Sequence, residues 1–131
     1  REQNTKSKAL VVGGNTIIQC FVSGTPGACS IQIDYEIIAT DLTNAQVEAG
    51  TTTFVLTRNS SGTQNGTYTQ GGVANYCSAG TLTITPVVFT TAAGLGIFRY
   101  TLASTGLTSP TYTGNFRVRG NGARAVVWVG F

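Results

Sequence analysis

Histidine and methionine are absent from these 131 residues, tryptophan occurs once, and proline three times. Without an imidazole to take a proton from a hydroxyl or thiol, the serine–histidine–acid and cysteine–histidine forms of nucleophilic catalysis are excluded. Charge is scarce as well: eight Lys and Arg with five Asp and Glu amount to 10% of the chain, against roughly 25% in an average soluble domain. The net charge of +3 is too small to argue for a nucleic-acid partner. No uninterrupted apolar run approaches the roughly 18–20 residues that cross a bilayer as a helix, so no transmembrane segment is expected. The opening REQNTKSK lacks the apolar segment of a signal peptide. Together with the start at Arg1 and the missing methionine, that favours a mature or trimmed chain.

The shortage of acids also limits acid–base chemistry. Asp34 and Glu36 share one face of a strand pattern, roughly 6–7 Å apart along the backbone. Any polar strand face sets two carboxylates at that spacing, so no catalytic residue is assigned. Walker and dinucleotide fingerprints are absent, GLG and GNG read as turns, and no cofactor is expected. Cys20, Cys29 and Cys77 are scattered and come without histidine, which makes no zinc signature, and no metal is expected. They allow at most one internal disulfide and a remaining thiol. A Cys20–Cys29 bridge would clamp the FVSGTPGA turn, Cys77 is an alternative partner for either, and spacing leaves the pairing open. Three reduced thiols packed as small apolar residues are the other reading.

What the chain does contain is strand chemistry. Hydrophobic residues make up 41%, enough for one domain with a core of its own. In CSIQIDYEIIAT, Ile31, Ile33, Tyr35 and Ile37 alternate with Gln32, Asp34 and Glu36, the period of a strand with one buried side. ALVVGGNTIIQCFVS reads as two strands joined at Gly13-Gly14 in a tight hairpin. TTTFVLTR, GTLTITPVVFTT, GIFRYTLAS, TYTGNFRVR and ARAVVWVGF are further strands, and Pro86 marks its own strand as bent or at an edge. TDLTNAQVEAG offers a single capped helical turn starting at Asp41 or Thr43. Arg58 to Gly80 reads as the longest loop, with Asn65-Gly66 able to close a short hairpin inside it.

These segments predict an all-β fold, an antiparallel β-sandwich or jelly-roll-like domain of about seven to nine strands. The expected organisation is a polar arm over residues 1–8 followed by a single domain over 9–131. One competing pattern exists: Leu10, Ile17 and Phe21, with Gly14 between, also follow helical spacing. Such an N-terminal helix on an antiparallel sheet would resemble the trailing part of a type IV pilin's long helix. Gly13-Gly14 and the β-branched Val11, Val12, Ile17 and Ile18 oppose it.

The C-terminal FRVRGNGARAVVWVGF reads as a hairpin closed by Asn121-Gly122, with Arg119 opposite Arg124. Phe116, Val118, Ala125, Val127, Val129 and Phe131 then line one side. Arg117, Arg119, Arg124 and Trp128 line the other, a candidate interface or anion-binding face. Asp34 and Glu36 are candidate ion-pair partners for these arginines. Asn59 and Asn65 both match the N-glycosylation pattern.

The functional expectation is a non-enzymatic structural subunit of an extracellular or surface assembly, such as a pilus, a filament or a virion coat. It would associate with itself or a companion subunit through strand edges and the N-terminal segment. The expected location is extracellular, on a cell surface or on a virion. The rival is a carbohydrate- or receptor-binding β-sandwich using Tyr68, Tyr76, Tyr112 or Trp128 as stacking platforms.

Overall fold

A computed structural model of the chain describes residues 5–22, 26–90, 95–119 and 126–130. They form nine strands and no helix: β1 (Thr5–Leu10), β2 (Gly13–Phe21), β3 (Gly27–Thr40), β4 (Ala45–Arg58), β5 (Gln64–Cys77), β6 (Thr81–Thr90), β7 (Leu95–Thr105), β8 (Thr111–Arg119) and β9 (Val126–Trp128). A five-stranded sheet runs β1-β8-β3-β4-β5 and a four-stranded sheet runs β6-β7-β2-β9. Every pairing is antiparallel, and the molecule is a β-sandwich.

The alternation on β3 sets the inside of the larger sheet. Ile31, Ile33, Tyr35, Ile37 and Ala39 are buried, and their partners on β4 across the ladder include Phe54 and Thr52. From the smaller sheet, β7 presents Phe98, Tyr100 and Leu102, and β2 presents Ile17, Ile18 and Cys20. Two consecutive isoleucines face inward because the β2–β7 register slips between Thr16 and Ile18, a bulge that re-aims one of them.

Aromatic rings lock the two layers together. Phe54 of the larger sheet stacks on Phe98 of the smaller at 4.6 Å between centroids. Tyr100 of the smaller sheet sits between Tyr35 at 4.9 Å and Phe116 at 5.7 Å, both from the larger. Gly114 makes room for this packing, since a Cβ there would lie 2.4 Å from the Phe116 ring.

Several local expectations give way to this long-range pairing. The C-terminal hairpin does not form: β8 has β1 on one flank and β3 on the other, so β9 crosses to the smaller sheet and pairs with β2. Arg119 faces Gln32 on β3, and the Asn121-Gly122 turn lies outside the described residues. Gly13-Gly14 closes no hairpin either, because β1 and β2 belong to different sheets. Residues 5–21 are strand and link, which overturns the pilin-like helix. The arm drawn over residues 1–8 ends inside β1, whose Thr5–Lys8 pair with Arg117–Gly114; residues 1–4 lie outside the described residues.

The helical turn expected after Asp41 is instead an Asx turn leading into β4, with Asp41 Oδ1 accepting from the Thr43 and Asn44 amides. The long loop is mostly strand. Its turn is Asn59–Thr63, where Asn59 Oδ1 accepts from the Ser61 and Thr63 amides and Gly62 adopts a φ of 86°. Pro86 sits on β6, an edge strand of the smaller sheet, as its missing N–H requires.

The inside–outside alternation of β4 has a direct test in urea unfolding at low protein concentration. Phe54→Ala should lower stability by about 3–5 kcal/mol, while Val55→Ala, its outward neighbour, should change it by less than about 0.5 kcal/mol. Comparable losses at the two positions would contradict the register.

Candidate functional site

The outer face of the five-stranded sheet divides into two halves of opposite character. Strands β1, β8 and β3 carry the charged half. Because Asp34 faces Arg117 across the β3–β8 ladder and Gln32 faces Arg119, both guanidiniums reach one carboxylate. Arg117 donates from Nε at 3.2 Å and Nη2 at 2.9 Å, and Arg119 Nε lies 2.7 Å away, all at Asp34 Oδ2. Thr51 Oγ1 donates to Asp34 Oδ1 at 2.7 Å. Beside this cluster Asn115 Nδ2 donates to Glu36 Oε1 at 2.8 Å and accepts from Ser7 at 2.6 Å.

Burial alone would raise the Asp34 pKa. Hydrogen bonds from Thr51, Arg117 and Arg119, with the Arg119 charge, outweigh it and hold the carboxyl below its ordinary value. Both arginines thus have an internal acid as partner, and that acid neutralises part of the charge an anion would need.

The face drawn from the sequence is not gathered as a set. Arg117 and Arg119 share the outer face of the larger sheet, whereas Trp128 lies on β9 of the smaller sheet and packs against the core. Arg124 lies outside the described residues. The stacking residues are dispersed too. Tyr68 tilts against Phe54 at 6.4 Å, and Tyr112 is partly buried against the core. Tyr76 is 74% exposed. Asn59 caps the β4–β5 turn and Asn65 follows on β5, both exposed.

The uncharged half is β4 and β5. Between Val47 and Thr57 the outward positions of β4 are Val, Ala and Thr, and Val55 and Tyr76 are among the exposed large hydrophobic residues. β5 itself reads QNGTYTQGGVANYC, a strand of 14 residues without Lys, Arg, Asp, Glu or Pro. It pairs with β4 on one side and ends the sheet on the other. Natural edge strands are commonly blunted by charges, proline or shortness; this one is long and neutral, with a single register shift opposite Ala49–Thr51.

The inward side of β5 is held by polar contacts that sequence reasoning missed. Gln70 Nε2 donates to Tyr35 Oη at 3.0 Å, Tyr35 donates to Glu48 Oε2 at 2.6 Å, and Asn75 donates to Glu48 Oε1 at 2.9 Å. Thr52 joins Gln70 to Tyr100, whose hydroxyl donates to Thr52 at 2.7 Å. Burial, then the hydrogen bond and charge of Glu48, push the Tyr35 phenol well above its ordinary pKa, and burial does the same to Tyr100. Both stay neutral donors across physiological pH, and this row fixes β5 in place. The alternation of Gln70, Tyr68 and Gln64 was a usable signal, hidden by five neighbouring glycine and asparagine turn cues.

No group of three or more potential metal-ligating side chains occurs among the described residues. No helix among them is long and apolar enough to cross a membrane. No protein-family model matches the chain, and no curated protein matches it. Among solved structures, a tailspike protein of Acinetobacter baumannii phage AM24 is similar at a TM-score of 0.41 and 12% identity; the match covers 96% of this chain and 28% of that one.

The Asp34 cluster has a pH signature. Its folded-state pKa lies below the unfolded value of about 3.9. Ionised Asp34 therefore stabilises the fold above that value, and the contribution is lost as pH falls through the folded pKa. Asp34→Ala should cost up to about 1 kcal/mol near neutrality, the arginines being half exposed, with the gap to wild type closing in strong acid. A gap that widens on acidification, followed by denaturant unfolding across pH, would contradict the assignment.

Proposed function

We propose that this chain is a non-enzymatic structural subunit of an extracellular or surface assembly, and that it associates with further copies of itself through the outer edge of β5. The observation that carries this reading is the edge itself: a 14-residue strand with no charge and no proline that ends its sheet. Two such edges approach without like-charge repulsion and continue one sheet into the next by strand pairing. The neutral outward face of β4 and β5 extends the contact beyond the ladder.

The N-terminal segment is the weaker route. All six residues of β1 are engaged by β8 of the same chain, from Thr5 with Arg117 to Leu10 with Tyr112. The charged half of the face favours internal ion pairing over contact, since both arginines already converge on Asp34. A sugar- or receptor-binding role has less support, because the stacking residues it needs point in different directions and Tyr68 and Trp128 pack against the core. Whether the assembly is a pilus, a filament or a virion surface follows from its source and not from this edge.

Sedimentation velocity across protein concentration tests the reading. Wild type should associate, and Thr67→Lys with Thr69→Lys, both exposed on β5, should weaken association at least about tenfold, equivalent to about 1.4 kcal/mol. The monomer should unfold as before. A wild type that stays monomeric throughout, or association unmoved by the two lysines, would overturn it.

A further inference from the structure

Cys20 and Cys29 lie on different sheets, yet their sulfur atoms meet. Cys20 is near the end of β2, is 3% exposed and belongs to the core cluster; Cys29 is near the start of β3, is partly buried and packs against that cluster. The Cys20 Sγ is 3.0 Å from the Cys29 Sγ. Cys77 is elsewhere. Cys29 faces Leu56 on β4, whereas Cys77 faces Gln46 on the same strand. Those β4 positions are ten residues apart (56 − 46), which is roughly 30 Å of strand. A disulfide holds its Cα atoms within about 7 Å, so Cys77 is out of reach of Cys29 without unfolding the sheet.

We propose that Cys20 and Cys29 form a disulfide that staples the four-stranded sheet to the five-stranded one, leaving Cys77 as a thiol. The placement resolves which of the sequence-permitted pairings the fold allows. The chemistry needs an oxidant, here a small disulfide such as oxidised glutathione. Cys29, the more accessible of the two, attacks it as the thiolate after losing its proton to solvent. A mixed disulfide forms and one glutathione leaves as thiolate. Cys20 then loses its proton and attacks the Cys29 sulfur, closing the intramolecular bond and releasing the second glutathione. Two protein thiols are oxidised by two electrons, one glutathione disulfide is reduced, and the two protons return to the departing thiolates.

The bond closes the short loop between β2 and β3 and restricts the unfolded chain. It belongs to an oxidising compartment, because cytosolic thiol pools hold such pairs reduced. Cys29 lies two strands in from the β5 edge, across Leu56 from Gly66, and the bond involves no β5 residue, so its formation is read separately from assembly.

The full chain, purified reduced and then incubated folded with oxidised glutathione, gives the test. Peptide mapping without reductant should find Cys20 linked to Cys29, and iodoacetamide should label Cys77. Reduction should lower Tm by roughly 10 °C, and Cys77→Ala should leave both the link and that shift in place. Three labelled thiols after oxidation, a link that includes Cys77, or a Tm indifferent to reductant would each overturn the proposal.

Discussion

The ring contacts between the sheets are the constraint on which the rest depends. A sheet with one apolar face is stable only when that face is covered, and here Phe98 and Tyr100 of β7 are threaded among Phe54, Tyr35 and Phe116 of the opposite layer. Once those side chains are turned inward, the pleat leaves no choice for their neighbours. Asp34, Arg117 and Arg119 must face outward, because they lie one residue from Tyr35, Phe116 and Val118 on their strands. The ion cluster on the surface is thus a consequence of the core, and its convergence on one carboxylate follows from register.

The same constraint explains how polar residues come to lie inside. β5 has few apolar side chains to bury, so it is anchored by hydrogen bonds from Gln70 and Asn75 into the Tyr35–Glu48 pair. Buried polar groups of this kind are tolerable when each has its partners. The arrangement holds the strand in register while leaving its far edge neutral.

Much of this was legible in the residues. The alternation of β3 announced its inside and outside, and the Thr-, Val- and aromatic-rich segments announced a sandwich. What the sequence concealed was partner choice. Asn121-Gly122 and Gly13-Gly14 carry strong hairpin chemistry, yet β8 finds β1 and β3 while β2 finds β7 and β9, residues far away in the chain. Local turn signals cannot report that a strand's flanks are already taken. β5 was hidden for the opposite reason: Gly66, Gly71 and Gly72 with Asn65 and Asn75 look like loop, and only the long ladder to β4 makes them strand. Trp128 parted from the arginines by the same crossing of β9.

Amide hydrogen exchange at two protein concentrations tests association through the neutral β5 edge most directly. Amides of β5 that point away from β4 should slow markedly in exchange as concentration rises, while those of Gln32–Thr40 on β3, bonded by β4 and β8, should not change. Exchange along β5 that is the same at both concentrations would contradict the account.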